Sequence, residues 1–399
     1  MTPDSALIID QDLDRLRAET PGVSGRLHLD NCGASLMPTP VVEAMTAHLR
    51  REVELGGYVA QEQQSDAHAA VYASLAKLTG GKPEDYALTS SAVDAWNKAF
   101  YSVPFEAGDN LITAFNEYCS NFVAILHRGK AAGVEVRVAR AGADGALDLA
   151  HLESLVDGRT KLIAISEVPS SSGQVNPVKA VGDIARAHDI LYLLDACQAV
   201  GQMAVKVEDI GCDMLTATSR KFLRGPRGVG FLYASARARD RLTPVMLTNQ
   251  AAAWVAADHY ELRHDTRLFE AWERSMVNEL GFGAALDYLL GLGPDRAFGR
   301  TQKMAAYLRA GLSRLKGVTM TCPADAQAAI ITFNKEGFDA AEVKARMNAM
   351  GVGVQIASVV HTRLDLEPRG IDSAVRVSPH YYNTVQELDR FLELVDALK

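Results

Sequence analysis

The chain has 399 residues, 48% hydrophobic and 23% charged, which suffices for one large domain with a sizeable core and a smaller one. Its net charge of -8 argues against nucleic acid or an anionic membrane as a partner, since both require a basic face. Five scattered cysteines without a C-x-x-C pair favour neither a disulfide framework nor a zinc site, and no apolar run reaches the roughly 18 residues of a membrane span. We therefore expect a cytoplasmic protein without a metal.

Apolar runs alternate with helical patterns from residue 27 to about residue 240, which indicates βαβ units around a mostly parallel sheet. Three runs are too short for helices and end in a polar residue. They are 162–166, 191–195 and 214–218. Ligands of parallel α/β sheets bind beyond the carboxyl ends of the strands, so the residues at these run ends are the first candidates for a site.

The second half of the chain begins with helical periodicity from about residue 270 to residue 315. Short predicted strands then alternate with helices, and the last helix, 384–398, has Asn383 and Thr384 as its cap. The predicted strands are 328–333, 352–356 and 374–378. We predict an α/β fold with a large domain over 25–270 and a small α+β domain formed by 1–24 and 271–399.

Asp195 ends one of the apolar runs, where an ionised carboxylate needs a cationic or hydrogen-bonding partner. A pyridinium nitrogen is such a partner, and an aspartate opposite it keeps a pyridoxal ring protonated as an electron sink. Gln198, three residues later, is then placed to hydrogen-bond the phenolic oxygen of the ring. Taken alone, Asp195 is explained equally well as a helix cap after the strand.

Lys221 follows another buried-looking run and precedes G-P-R-G-V-G at 225–230. A partly desolvated lysine beside Arg220 suits a Schiff-base nucleophile, although a lone lysine near a turn is more often simply solvated. The glycine run precedes a strand, so it is not the dinucleotide-binding fingerprint, which follows one.

A cofactor phosphate needs backbone N–H groups at a helix start, hydroxyl groups and a cation. The segment 88–97 fits a strand that runs into a helix capped by serine. The N–H groups available to an anion there are those of Ser91, Ala92 and Val93. Thr218 and Arg220 add a hydroxyl group and a positive charge. Ordinary helix capping explains the serines equally well, and a surface ion pair explains Arg220.

The joint presence and order of these blocks resemble the class V aminotransferase group, which includes cysteine desulfurases and selenocysteine lyases. The segments D-A-C-Q-A-V-G at 195–201, G-C-D at 211–213 and T-S-R-K-F-L-R-G-P-R-G-V-G at 218–230 are similar to that family's aspartate, glutamine and lysine block. Further similar segments are 29–31, 117–121, 176–178 and V-R-V-S-P-H-Y-Y-N-T at 375–384.

The resemblance implies fold type I of the PLP-dependent transferases, with a mainly parallel seven-stranded sheet, and a homodimer that acts on a small amino acid. It implies that catalytic Lys221 holds pyridoxal 5'-phosphate (PLP) as a Schiff base, with Asp195 at the pyridinium and Gln198 at the phenolic oxygen. Tyr118 is expected to stack on the ring. The expected phosphate contacts are Ser91, Ala92, Val93, Thr218 and Arg220. The expected substrate contacts are Arg376 at the α-carboxylate, Asn31, and Tyr58 from this chain or its partner.

Three departures from the desulfurase pattern carry functional information. Tyr118 stands where desulfurases place a histidine, and tyrosine stacks well but is a poor proton shuttle near neutral pH. Desulfurases carry a sulfur-accepting cysteine before the substrate arginine, whereas 355–374 reads QIASVVHTRLDLEPRGIDSA and holds none. Trp272 and Glu273 stand where relatives lend a Gly-Thr pair to the neighbouring subunit's phosphate site.

Segments G-G-Y-V-A at 56–60, T-S-R-K at 218–221 and H-T-R-L-D at 361–365 are similar to hercynylcysteine sulfoxide lyases and isopenicillin N epimerase-like proteins. This similarity favours C–S cleavage by β-elimination, with release of pyruvate and ammonia. Transamination or epimerisation of an amino acid would use the same residues and stays open. Intact Lys221, Asp195 and Gln198 argue against a non-catalytic cofactor-binding protein.

Overall fold

The computed structural model describes residues 10–398. The helices are α1 (Asp10–Ala18), α2 (Thr39–Leu55), α3 (Gly57–Gln63), α4 (Ser65–Thr79), α5 (Ala92–Tyr101), α6 (Cys119–Ala132), α7 (Leu149–Ser154), α8 (Val178–Ala187), α9 (Val207–Ile210), α10 (Ala236–Arg241), α11 (Met276–Leu292), α12 (Pro294–Leu312), α13 (Ala340–Ala349), α14 (Arg363–Leu366) and α15 (Val385–Asp396). The strands are β1 (Leu27–His28), β2 (Tyr86–Thr89), β3 (Asn110–Ala114), β4 (Glu135–Ala139), β5 (Thr160–Ser166), β6 (Leu191–Asp195), β7 (Met214–Thr218), β8 (Gly230–Ala234), β9 (Ala252–Ala256), β10 (His259–Leu262), β11 (Val318–Met320), β12 (Ile331–Lys335), β13 (Val352–Gly353), β14 (Gln355–Ser358) and β15 (Ser373–Val377).

A seven-stranded sheet in the order β2-β8-β7-β6-β5-β3-β4 organises the larger part of the molecule. All neighbouring strands are parallel except β8, which runs antiparallel to β2 and β7. The α/β fold of type I, with a mainly parallel seven-stranded sheet, is therefore confirmed. The three apolar runs predicted as strands are β5, β6 and β7, and they lie side by side.

Alternating side chains of the central strands pack into two separate cores, one on each face of the sheet. In β6, Leu191 and Leu193 belong to one core, whereas Tyr192 and Leu194 belong to the other. All four side chains are buried, because helices cover both faces. This explains why the strand reads as a continuous apolar run up to Asp195.

A four-stranded antiparallel sheet, β11-β12-β15-β14, forms the C-terminal part. The N-terminal strand β1 pairs with β13, and the backbone N–H of Ser378 donates to the carbonyl of Leu29. The chain just after β1 is therefore fixed beside the end of β15. Our division into domains at 25–270 and 271–399 stays a prediction, and this pairing joins its two parts.

Several boundaries differ from the sequence prediction. The helical stretch from residue 270 to 315 is two helices, α11 and α12, separated at Gly293, whose φ of +82° favours glycine. The predicted strand 352–356 is split into β13 and β14. The last helix begins as predicted, with Thr384 Oγ1 accepting a hydrogen bond from the backbone N–H of Glu387.

The sequence analysis missed the hairpin of β9 and β10. Its side chains are largely exposed, including Trp254 and Tyr260, so it lacks the buried face that produces a strand pattern. Within residues 10–398, no helix is both long and apolar enough to cross a bilayer.

Candidate active site

Three neighbouring strands end at one edge of the large sheet and bring polar residues together there. Ser166 is in register with Asp195, so β5 and β6 end together, and Asp195 is in register with Thr216, so β7 extends two residues further, to Thr218. Because these strands are parallel, Ser166, Asp195 and Thr218 all lie at their carboxyl ends.

A cavity of about 310 Å³ opens at this edge. Its lining includes all nine residues that the sequence predicted to bind the cofactor. They are Ser91, Ala92, Val93, Tyr118, Asp195, Gln198, Thr218, Arg220 and Lys221. The wall is completed by further residues, including Asn121 of α6, Ser166 at the end of β5, Cys197 and Arg227.

Asp195 is held by hydrogen bonds to both carboxylate oxygens. Oδ1 accepts the backbone N–H of Cys197 at 2.9 Å, and Oδ2 accepts the Asn121 side-chain amide at 2.8 Å. The bond to Cys197 is a local turn contact, because residues 197–199 form a turn and no helix begins after Asp195, so the helix-cap explanation was wrong. The carboxylate also lines the cavity, where it faces a cofactor site.

The anion-binding end of the cavity is built at the start of α5. Ser91 Oγ accepts the N–H of Asp94 at 3.1 Å, which makes Ser91 the N-cap and leaves the first N–H groups of the helix facing outward. Gly230 pairs with both Thr89 and Thr218, and a Cβ at this position would overlap the backbone of Ser91 and Ala92. The glycine at 230 thus allows the Thr218 strand end to approach the helix start.

Lys221 and Gln198 face the middle of the cavity. The Nζ of Lys221 donates to the Sγ of Cys197 at 3.4 Å. The Nε2 of Gln198 donates to the carbonyl of Cys32 at 3.2 Å, while its buried Oε1 has no partner among the described residues. An unpaired buried polar atom of this kind fits a site completed by a ligand.

A second cavity, of about 520 Å³, adjoins the first and shares Tyr118, Gln198, Arg220 and Lys221 with it. Arg376 lines this second cavity together with residues of β14 and the turn that follows. Its Nη1 donates to the carbonyl of Ser170 at 3.2 Å, and its Nη2 lies 3.7 Å from Asp30 Oδ1. Because Nε has no partner among the described residues, the guanidinium retains capacity for a carboxylate.

Two predicted substrate contacts are not brought to these cavities in the chain. Asn31 is fully buried, donates to the carbonyl of Ser378 at 2.7 Å and accepts the hydroxyl of Tyr382. Its amide is thus used to join β1 to the C-terminal part. Tyr58 is 75% exposed and lines a separate cavity of about 320 Å³ beside Trp272.

Sequence reasoning also missed residues that the fold supplies. Asn121 lies four residues after Glu117 in the E-Y-C-S-N segment, in the first turn of α6, and its amide reaches back to Glu117. Arg227 adds a cation at the phosphate end of the cavity, beside Ser90 and Gly228. The proximity of Arg227 depends on the loop geometry and had no sequence signal.

The donor set fits PLP. Asp195 matches a protonated ring nitrogen, Gln198 a phenolic oxygen, the start of α5 a phosphate, and Lys221 an aldehyde carbon. Within residues 10–398, no group of three or more His, Cys, Asp or Glu side chains is arranged to hold a metal ion.

The fold and this lysine–aspartate–glutamine site define a PLP-dependent enzyme of fold type I. A family model described as Aminotransferase class-V matches residues 27–391. The chain therefore belongs to the class V aminotransferase family, and its cofactor is pyridoxal 5'-phosphate.

Known relatives agree with this assignment. The chain is 30% identical over 392 residues to a probable cysteine desulfurase of Methanothermobacter thermautotrophicus, covering 96% of this chain and 97% of that one. The apo cysteine desulfurase of Thermococcus onnurineus NA1 superposes with a TM-score of 0.87 at 24% identity, covering 96% and 97% of the two chains.

Two structures of the protein C-DES are also similar. One is a mutant with glycine covalently linked to its PLP cofactor, with a TM-score of 0.88 at 18% identity over 96% of this chain and 99% of that one. The other is the cystine C-S lyase C-DES with its product cysteine persulfide, with a TM-score of 0.86 at 19% identity over 94% and 99%. This chain is a PLP-dependent lyase that acts on an amino acid.

Proposed function

We propose that this lyase cleaves the Cβ–S bond of a cysteine S-conjugate, or of its sulfoxide, by β-elimination. For a conjugate R–S–CH2–CH(NH3+)–COO−, water enters overall and the products are R–SH, pyruvate and ammonium. For its sulfoxide, the sulfur product is the sulfenic acid R–SOH, with the same pyruvate and ammonium. The sulfur-bearing fragment leaves to solution, in contrast to a desulfurase reaction that transfers sulfur to an enzyme thiol. Hercynylcysteine sulfoxide is one candidate substrate of this class.

The observation that carries this proposal is the composition of the cavity wall that faces Lys221. That wall is formed by Gln355, Ile356, Ser358 and His361, and the segment 355–374 has no cysteine. Sulfur released at this position therefore meets no loop thiol that accepts it.

The cysteines near the cavities are poor substitutes for a loop nucleophile. Burial raises the pKa of both the Cys32 and the Cys197 thiols, so each stays protonated near neutral pH, and the thiolate is the reactive form. Cys32 is 1% exposed and belongs to the core. The C-S lyase C-DES, with cysteine persulfide as its product, supports release of a small sulfur compound in this fold.

The other residues have roles that follow from their positions. Arg376 holds the substrate carboxylate, and Lys221, which would carry PLP in the resting enzyme, takes the α-proton as a free amine. When bound, PLP supplies an electron sink for the charge left on the α-carbon. Tyr118 lines both cavities, and burial raises the pKa of its hydroxyl, so the ring stacks as a neutral phenol.

A homodimer is part of the proposal. Tyr58 and Trp272 are 75% and 53% exposed around a cavity that is separate from the cofactor site of their own chain. Exposed aromatic side chains beside a cavity are typical of interfaces. We assign Tyr58 to the substrate site of the partner subunit.

A product assay tests the function. Purified enzyme with PLP is given S-alkyl cysteines, their sulfoxides and L-cysteine, and pyruvate, ammonia, alanine and the thiol fragment are measured. Equal amounts of pyruvate and ammonia from a conjugate are expected, with none from Lys221→Ala. Alanine with an enzyme persulfide would indicate a desulfurase, and the opposite enantiomer of the otherwise intact substrate would indicate epimerisation. A keto acid formed only with an amino-group acceptor would indicate transamination.

A further inference from the structure

A single side-chain amide joins two buried carboxyl groups behind the cofactor cavity. The Nδ2 of Asn121 donates to Glu117 Oε1 at 2.9 Å and to Asp195 Oδ2 at 2.8 Å. Asp195 lines the cavity, whereas Glu117 lies behind it and is 5% exposed. The carboxylate expected to face the ring nitrogen is thus linked to a second acid through one residue.

Glu117 Oε1 accepts two further hydrogen bonds. The hydroxyl of Ser166 donates at 2.5 Å and the backbone N–H of Tyr118 at 2.8 Å. Three donors on one oxygen stabilise the ionised form of Glu117, while burial opposes it. The hydrogen bonds therefore keep the carboxyl group of Glu117 in one position whether or not it carries a proton. Glu117 thus changes its charge without moving.

The surroundings of Glu117 are mostly acidic. Asp195 approaches it from the end of β6, and burial together with this charge raises the pKa of Glu117 to about 7. Burial raises the pKa of Tyr192 of β6, with the charges of nearby acidic groups adding to it, so this phenol is neutral. The cations that line the cavity are Lys221, Arg220 and Arg227. Without the cofactor, Glu117 is thus about half protonated at neutral pH and mostly protonated at lower pH.

We propose that Glu117 is a positioning residue that acts through Asn121, and that it gives up its proton to solvent when PLP binds. The protonated ring nitrogen places a positive charge at Asp195, which offsets the repulsion between the two carboxylates. Glu117 changes from a carboxylic acid to a carboxylate, and the ring then faces two linked negative charges. This second charge helps keep the ring nitrogen protonated.

Glu167 is a second buried acid near Asp195, and it differs from Glu117 in its hydrogen bonds. Burial, with the charge of Asp195 next, raises the pKa of Glu167 to about 8. Its Oε2 is buried without a partner among the described residues, and no side-chain hydrogen bond to Asp195 links it to the site. Its ionised form is therefore not stabilised by donors, and it stays neutral when the cofactor binds.

Calorimetry of PLP binding in two buffers of different ionisation enthalpy tests this proposal, because it counts protons without using activity. Near pH 6.5 the wild type is expected to release between about 0.5 and 1 proton more per site than Glu117→Gln, and the difference should vanish above about pH 8.5. Proton release from Lys221 and from the phosphate is common to both proteins and cancels. Ser166→Ala, which keeps the Glu117 carboxyl group and its bond to Asn121, is expected to retain the extra proton.

Equal proton counts for the wild type and Glu117→Gln would overturn the proposal, and so would an extra proton that disappears in Glu167→Gln instead. If Glu117→Gln does not fold, infrared difference spectra of the wild type decide the matter. We expect the infrared band of a protonated carboxyl group to disappear when PLP binds, and an unchanged band would contradict the proposal. The inference rests on the cofactor and not on the proposed reaction, so its failure leaves the C–S lyase assignment unaffected.

Discussion

The Nζ of Lys221 lies 3.4 Å from the Sγ of Cys197, and both side chains line the cofactor cavity. This thiol is the one hydrogen-bond partner that the structure gives the lysine amine in the described chain. Burial raises the pKa of Cys197, which keeps it protonated beside the amine. A thiol thus lies next to the lysine amine, and its role as a sulfur acceptor has to be tested.

Replacing Cys197 by alanine is expected to leave the rate of pyruvate formation within about tenfold of the wild type, because a neutral thiol is not a sulfur acceptor. Steady-state rates and intact-protein mass after turnover give the answer. Cys32→Ala serves as a matched control. A persulfide on Cys197 together with loss of turnover in Cys197→Ala would contradict the proposed function.

Arg376→Lys should raise KM for the amino acid by about 10- to 100-fold, since lysine cannot form both hydrogen bonds to the substrate carboxylate and charged hydrogen bonds contribute about 1.5–3 kcal/mol. The absorbance of bound PLP should not change, because Arg376 lines the adjoining cavity only. Arg363→Lys, at an exposed ion pair with Glu367, is the control and should leave KM unchanged. An unchanged KM in Arg376→Lys would remove the residue from the substrate site.

Gly230→Ala is expected to impair PLP binding and to destabilise the protein by roughly 1–3 kcal/mol, because the added Cβ overlaps the backbone of Ser91 and Ala92. Spectrophotometric titration with PLP and chemical denaturation measure the two effects. Gly291→Ala in α11 has no atom within 4 Å of the new Cβ, so it should be neutral or slightly stabilising. Similar behaviour of the two variants would contradict the close approach at Gly230.

Glu117 and Glu167 make the stability of the cofactor-free protein depend on pH. Burial raises their pKa values from 4.5 to about 7 and about 8, so the folded state binds protons more tightly than the unfolded state. Their contribution to stability is complete below about pH 4.5 and is lost as the pH rises through 7 and 8. The melting temperature of the wild type should therefore fall between about pH 5 and 8 relative to that of the double variant Glu117→Gln, Glu167→Gln. If scanning calorimetry shows the same change of melting temperature with pH for both proteins, that result would argue against both pKa shifts.

Complementation between inactive variants tests whether Tyr58 crosses to the partner subunit. Tyr58→Ala and Lys221→Ala are each expected to lose most activity, and their mixture should recover up to roughly a quarter of the wild-type rate. In half of the mixed population, one site then combines an intact Lys221 with an intact Tyr58 from the other chain. No recovery despite proven subunit exchange would place Tyr58 outside the partner's site.

Much of the fold and most of the cofactor site followed from sequence. The runs that became β5, β6 and β7 are apolar on both faces because helices cover both sides of the sheet, and their polar ends mark one edge. All nine predicted cofactor contacts line one cavity, since they lie at strand ends, at a helix start and in loops at this edge. The sequence did not predict the hairpin β9–β10, because neither strand has a buried face that would produce an alternating apolar pattern.

The sequence by itself determined the class of fold, the cofactor and the residues that surround it, because their order along the chain reflects which strand ends meet. Only the tertiary structure decided that Asn121 joins Glu117 to Asp195, that Asn31 is enclosed by Ser378 and Tyr382, and that Tyr58 lies away from Lys221. These relationships depend on distances between segments far apart in sequence. The Lys221 side chain likewise has its surroundings fixed by loop packing, which no local pattern encodes.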